Sequence, residues 1–269
     1  MDISHGMAFA SPMKIYAGTY DDITDAAVIV ITAGANQKPD ETRLDLIRKN
    51  SAIMKSIIGE IKKRPFEGIL LIVSNPVDIL TYIALKESGY PANRVIGSGT
   101  VLDTGRFRYE LGEHLEVDSR SIHAFIIGEH GDSELAAWSE ARVGGMPIHD
   151  FCELRGHYDH EASMEKIFNS VKNSAYEIIA RKHATYYGIA MAVCRICAAI
   201  VRNEQSILPV SSLMTGEYGL ENVVLSIPAV VDENGIETVV PIELNEKELS
   251  ELQQSATVLK KVIAEFYPD

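Results

Sequence analysis

His130 lies in Ile127-Gly128-Glu129-His130-Gly131-Asp132, at the end of an apolar run and with small or acidic neighbours on either side. Asp103-Thr104-Gly105-Arg106 comes before it, and Asn75-Pro76-Val77-Asp78 earlier still. A histidine, carboxylates, an arginine and an asparagine thus fall at successive strand ends, where open parallel sheets bind ligands. A buried carboxylate bonded to an imidazole fixes its tautomer and favours its charged form, which makes the ring a proton donor near neutral pH. Asp103 is the candidate partner. It shares one helical face with Arg106, a spacing that also suits a local intrahelical ion pair. A guanidinium grips a carboxylate bidentately, so donor and clamp together define a small substrate with both a carbonyl and a carboxylate.

The elements that position these groups are legible as hydrophobic patterns. Segments 26–32 and 68–74 are continuous β-branched runs, as in strands buried on both faces of a parallel sheet. Between them, segment 41–63 places Leu44, Ile47, Ile53, Ile57, Ile58 and Ile61 at helical spacing and ends at Arg64-Pro65. Strand, helix, strand is the parallel crossover unit. A shorter strand over 94–97 and a helix over about 100–114 continue it. From residue 121 the pattern changes: strands are predicted over 121–127 and 134–143, and long helices over 161–182 and 185–202. Antiparallel strands follow within 206–240, turned by Asn234-Gly235, and then a terminal helix over 245–266. The fold class read from this is α/β: an incomplete doubly wound, Rossmann-type parallel sheet (1–97) followed by an α+β catalytic domain (98–269).

Composition narrows the function classes. At 269 residues and 46% hydrophobic content the chain can bury a large core without metals or disulfides. The 38 acidic residues exceed the 25 basic ones by 13, which repels polyanions and argues against nucleic-acid or anionic-membrane partners. Any phosphate recognition must therefore be local. The longest apolar stretch, 188–201, is interrupted by Arg195 and falls short of the roughly 20 residues of a membrane span. Three cysteines, an odd number, fit a reducing cytoplasm. Cys194-Arg195-Ile196-Cys197 has metal-like spacing but lies in an apolar helix without a second pair, so structural burial is expected and no metal site.

Turns Thr32-Ala33-Gly34-Ala35, Ser74-Asn75-Pro76 and Gly97-Ser98-Gly99-Thr100 all fall at strand ends, either as ordinary punctuation or as a ligand cradle. Arg43 follows the polar, proline-containing segment 36–42, which reads as a solvated loop or as a lid that closes over substrate.

The ordered motifs Ala33-Gly34-Ala35-Asn36-Gln37-Lys38-Pro39, Glu41-Thr42-Arg43-Leu44-Asp45-Leu46, Asn75-Pro76-Val77-Asp78, Gly97-Ser98-Gly99-Thr100, Gly128-Glu129-His130-Gly131-Asp132 and Ala184-Thr185-Tyr186-Tyr187-Gly188 run along essentially the whole chain. Through them the sequence resembles the bacterial L-lactate dehydrogenases of the lactate/malate dehydrogenase family. The resemblance implies NAD as cofactor, pyruvate and L-lactate as substrates, and a cytoplasmic homotetramer serving fermentation. It implies that His130 protonates the keto group, Asp103 stabilises the resulting charge, Arg106 clamps the carboxylate, and Arg43 polarises the carbonyl from the closing loop. Asn75 would bond near the carbonyl and Thr185 would line the pocket. Gly34 and Ala35 would lie under the adenosine and pyrophosphate, Tyr20 and Ser56 at the edges, and Val73, Ser74, Asn75 and Ser98 around the nicotinamide. Gln37 falls where malate dehydrogenases carry an arginine, and a neutral side chain there favours pyruvate over a dicarboxylate. Arg108 and His123 match an intersubunit fructose 1,6-bisphosphate site, or are ordinary surface residues.

The sequence also departs from the family. Its Gly-x-Gly-x-x-Gly turn, first strand and helix, and acidic ribose reader are absent, roughly 50 residues, somewhat more than a minimal crossover unit. The expectations are weak cofactor binding, an exposed apolar edge at 26–32 and poor solubility. Asp40 stands where a lid glycine is usual, and Gly105 where alanine is commoner. Two alternatives remain open: a malate or other 2-hydroxyacid dehydrogenase, and a catalytically silent truncated subunit.

Overall fold

The computed structural model describes residues 2–35 and 42–267. A short helix α1 (Asp2–Gly6) leads in, and the two β-branched runs form β1 (Val28–Ile31) and β2 (Ile69–Ile72), paired in parallel with Val28 opposite Ile69. Between them α2 (Arg43–Ile61) starts at a capping box: Thr42 and Asp45 each accept the other's backbone N–H. Next comes α3 (Val77–Ser88), which hydrophobic periodicity does not reveal. Every residue from Val77 to Leu85 is buried, so the helix has no polar face to set off an apolar stripe.

After β3 (Val95–Gly97) and α4 (Val101–Leu115), the two strands expected over 121–127 and 134–143 break into shorter pieces, a correction to the sequence reading. They are β4 (Ile122–His123), β5 (Ile126–Ile127), β6 (Leu135–Ala136) and β7 (Arg142–Val143). The chain changes pairing partner between His123 and Ile126, since β4 pairs with β7 while β5 pairs with β6. Then follow β8 (Met146–Pro147), α5 (Ile148–Leu154), α6 (His160–Lys182) and α7 (Tyr187–Val201). The last elements are β9 (Ser206–Thr215), β10 (Glu221–Asp232), β11 (Gly235–Val239) and α8 (Glu246–Phe266).

One six-stranded sheet runs β1-β2-β3-β9-β10-β11, parallel on the first side and antiparallel on the other. The halves meet where Gly97 pairs with Ser211. A Cβ at Gly97 would come within 2.6 Å of Thr81 Oγ1 and 2.7 Å of Ser211 Cβ, so only glycine lets the strands approach there. Apolar clusters cover both faces: Ile58, Leu80 and Leu252 bring α2, α3 and α8 together, and Ile69, Ile96, Ile196 and Val210 seat α7 on the other side. A third cluster around Phe107, Leu111, Ile122 and Val171 joins α4 and α6 to the small sheets. At the outer margin β1 is an edge strand, and Val30 on it is 36% exposed. No described helix is long and apolar enough to cross a membrane. Cys152 is buried, whereas Cys194 is exposed and Cys197 half-buried, so the burial expected of that pair fails at Cys194, which lies on the outer face of α7.

Candidate active site

Three parts of the fold pin the backbone that carries His130. Gly128 exchanges two backbone hydrogen bonds with Ser226 of β10, both 2.9 Å, and the Glu129 N–H donates to Ser255 Oγ of α8 at 2.9 Å. The His130 N–H donates to Asp78 Oδ2 at the start of α3, at 2.7 Å. Asp78 is buried and also accepts from Ser211 Oγ at 2.6 Å; burial lifts its carboxyl to about 6, although both bonds oppose the shift. Opposite, Thr100 and Thr104 of α4 bond the backbone of Ile126, which sets α4 against β5.

From α4 the Asp103 side chain reaches His130. Its Oδ2 lies 2.6 Å from His130 Nδ1 while its Oδ1 accepts from Arg106 at 2.7 Å. The intrahelical ion pair and the carboxylate–imidazole couple are therefore both present, shared by one carboxylate. Asp103 is 4% exposed at its side chain, His130 25% and Arg106 16%. Burial alone would raise the Asp103 carboxyl, yet the charges of His130 and Arg106 outweigh it and hold the group below its usual range. Burial likewise disfavours the imidazolium, but Asp103 wins and pushes His130 up to about 9. The ring is cationic at neutral pH and tethered through Nδ1.

These groups line a cavity of about 340 Å³, together with Leu46, Ile47, Asn75, Glu134, Lys172 and Tyr176. Arg106 also borders a second, more apolar cavity of about 410 Å³ with Leu102, Thr185 and Tyr186. Of the residues singled out from sequence, His130, Asp103, Arg106 and Asn75 thus share one cavity, and Thr185 lies across Arg106 from it. Arg43 opens α2, whose Leu46 and Ile47 line the cavity one turn later; Gln37 lies outside the described residues.

The strand-end turns meet beside the cavity. Asn50 of α2 accepts the Ala35 N–H at 2.7 Å and donates to the Asn75 carbonyl at 2.8 Å, while Ser74 Oγ donates to the Ala33 carbonyl at 2.6 Å. Gly34 and Asn75 are exposed at this junction, Ala35 and Val73 are half-buried, and Ser74 and Ser98 are buried. Tyr20, 38% exposed beneath the Arg64 guanidinium, and Ser56 on the solvent face of α2 line neither cavity. Arg108 donates to the Ala124 carbonyl at 2.9 Å and lies over Phe125; burial lowers its pKa. His123 is exposed beside it on β4, directly opposite Arg142.

Sequence reasoning missed Asn50, Glu134 and Lys172, and gave Asp78 no role. Asn50 had a signal: a polar residue within the buried stripe Ile47, Met54, Ile58 and Ile61 needs a partner.

Family models for the lactate/malate dehydrogenase NAD-binding domain and its α/β C-terminal domain match residues 1–97 and 100–267. L-lactate dehydrogenase of Acetivibrio thermocellus is 54% identical over 263 residues, 98% of this chain and 83% of the relative. That of Thermoanaerobacter pseudethanolicus is 53% identical over 265 residues, 98% and 85% of the two chains. Among solved structures, minor L-lactate dehydrogenase of Enterococcus mundtii in its ligands-bound form superposes with a TM-score of 0.95 at 46% identity, covering 100% of this chain and 85% of that one. A lactate dehydrogenase from a Medee basin deep-sea metagenome gives 0.93 at 49% identity, covering 97% and 84%. With family models matching residues 1–97 and 100–267 and a histidine–aspartate–arginine cavity at the strand ends, the chain belongs to the lactate/malate dehydrogenase family.

Proposed function

We propose that this chain is an NAD-dependent L-lactate dehydrogenase, interconverting pyruvate and L-lactate with His130 as the acid–base group. The observation that carries the reading is Asp103, which bonds His130 and Arg106 at once on the wall of one cavity. When bound, NADH supplies the hydride. His130 donates its proton to the ketone oxygen as the carbonyl is reduced, and takes it back in the reverse direction. Asp103 holds the ring by Nδ1 and stabilises its charge before the transfer. Arg106 clamps the substrate carboxylate, and the shared aspartate fixes the distance between clamp and proton donor. Thr185 lines the pocket beyond Arg106, and Asn75 bonds near the carbonyl. Arg43, the first residue of α2, polarises the carbonyl. Neutral Gln37 selects a monocarboxylic keto acid.

Small residues at the end of β1 suit the cofactor, with Gly34 and Ala35 under the adenosine and pyrophosphate. The Asn50 and Ser74 bonds hold the β1 and β2 turns together with Asn75 exposed. Val73, Ser74, Asn75 and Ser98 would surround the nicotinamide, with Tyr20 and Ser56 at the outer edge.

Steady-state rates with pyruvate and oxaloacetate test the assignment. Pyruvate is turned over in preference, and His130→Gln lowers kcat by about 100-fold or more while an unreactive pyruvate analogue still binds. Preference for oxaloacetate makes the chain a malate-type enzyme, and no heat on titration with NADH makes it a silent subunit.

The finer reading is a cytoplasmic homotetramer in fermentative glycolysis, activated by fructose 1,6-bisphosphate. Arg108 supports it: its Nε donates to the carbonyl of Ala124, the residue after exposed His123, and a guanidinium suits a phosphate. The bisphosphate raises wild-type activity and fails to raise that of Arg108→Ala; an equal response in both removes the site.

A further inference from the structure

Glu134 has no part in the reaction described above, yet it is an acid buried beside the reacting centre. It directly precedes β6, is 7% exposed, and its Oε1 is buried without a hydrogen-bond partner among the described residues. Polar atoms of Asp103, His130 and Glu134 all lie within 4.8 Å of one another. An unpaired carboxyl oxygen in such a place is costly unless the group stays neutral or acts on a neighbouring charge.

We propose that Glu134 is a positioning residue for the His130–Asp103 couple: its carboxyl, buried within 4.8 Å of the imidazole, helps to keep the ring protonated when ionised. This inference rests on the reading of His130 as the acid–base group. The groups that face Glu134 are Asp103 and Arg106 from α4, His130 and Asp132 from the β5–β6 loop, and Lys172 and Tyr176 from α6. Arg106 is engaged by Asp103, and Tyr176 donates to Asp132 at 3.0 Å, so the unpartnered Glu134 oxygen faces chiefly the imidazole and Lys172 across the cavity. Burial first, then the charge of Asp103, push Glu134 up to about 8, against the pull of His130, Lys172 and Arg106. The Glu134 charge in turn acts to raise His130. Once ionised, Glu134 is an anion within 4.8 Å of the imidazole, and opposite charge at this distance holds the proton on the ring.

The test follows ring nitrogens by NMR in protein labelled with ¹⁵N-histidine, with His130 assigned from the His130→Gln spectrum. In Glu134→Gln the His130 midpoint falls by about half a pH unit or more, the Coulomb effect of one charge across 4.8 Å even at the dielectric of water. Glu134→Asp restores part of the shift. In turnover, the ratio of kcat/KM for pyruvate at high pH to that at pH 6.5 falls about three-fold in Glu134→Gln, the same half-unit displacement of the alkaline limb. A uniform loss at every pH with an unmoved His130 midpoint marks a packing role and overturns the proposal. A carboxyl ¹³C titration of the wild-type chain needs no variant: a Glu134 midpoint in the ordinary glutamate range also overturns it. Absence of turnover with pyruvate, together with a displaced His130 midpoint, defeats the lactate reading and leaves this inference standing.

Discussion

A carboxylate that accepts from an imidazole and a guanidinium together has its ionised form stabilised twice, and Asp103 does this from within the protein. Replacing it with asparagine removes the charge while keeping the size. His130 then titrates down from about 9 toward its ordinary 6.5. At pH 8 the protonated fraction falls on the order of 30-fold, so pyruvate reduction in Asp103→Asn falls by at least that factor at pH 8 and by much less at pH 6. A pH–rate profile checks this, and equal losses at both pH values count against the couple. The sign for stability follows from the same shifts. The raised His130 contributes stability that is fully present below 6.5 and is lost as the pH rises through about 9; the depressed Asp103 contributes stability present above 3.8 and lost on acidification. Urea midpoints of wild type and Asp103→Asn therefore differ most between about pH 4 and 6.5 and draw closer above about pH 9, where the pairing with Arg106 remains.

Elements with one polar and one apolar face were legible from sequence, and those without were not. The segments 161–182 and 245–266 anticipate α6 and α8 to within a residue, because their apolar positions recur at helical spacing and Asn245 with Glu248 forms a capping box. α3 is buried all round and carries no such contrast, and two-residue strands such as β4 and β5 are too short to show alternation. The same logic applies to the site. His130, Asp103 and Arg106 stood out as residue types with a joint chemistry, whereas Glu134, within Asp132-Ser133-Glu134, reads like a solvated turn until the fold buries it. Gly105 offers a direct test at this scale. It sits inside α4 between the two key side chains, is exposed, and a Cβ there meets nothing within 4 Å. Gly105→Ala therefore adds helix propensity without a clash and stabilises the protein by about 1 kcal/mol in urea unfolding. A destabilised Gly105→Ala instead means that the Asp103–Arg106 face needs the flexibility of glycine.

At the scale of the whole molecule, two opposing tendencies meet at β1. Among the described residues the strand is an edge of the six-stranded sheet, paired with β2, and Val30 offers apolar surface on it. Such an edge is a template for strand pairing between copies of the chain. Opposing that, the net charge of −13 keeps the molecules apart. Repulsion of this kind is screened over roughly 8 Å at 0.15 M salt and over about 3 Å at 1 M, while apolar edge pairing is not weakened. Self-association should therefore grow as sodium chloride is added, the opposite of an assembly held by ion pairs. A lysine at position 30 leaves the β1–β2 backbone pairing intact and places a charge on the edge that an incoming strand would have to bury. In light scattering across a salt series, wild type gains mass with rising salt and Val30→Lys gains much less, with the circular dichroism of the two alike. Equal gains in both variants would place the sticky surface elsewhere, with the exposed outer face of α7 around Tyr187, Met191 and Val201 as the next patch to substitute.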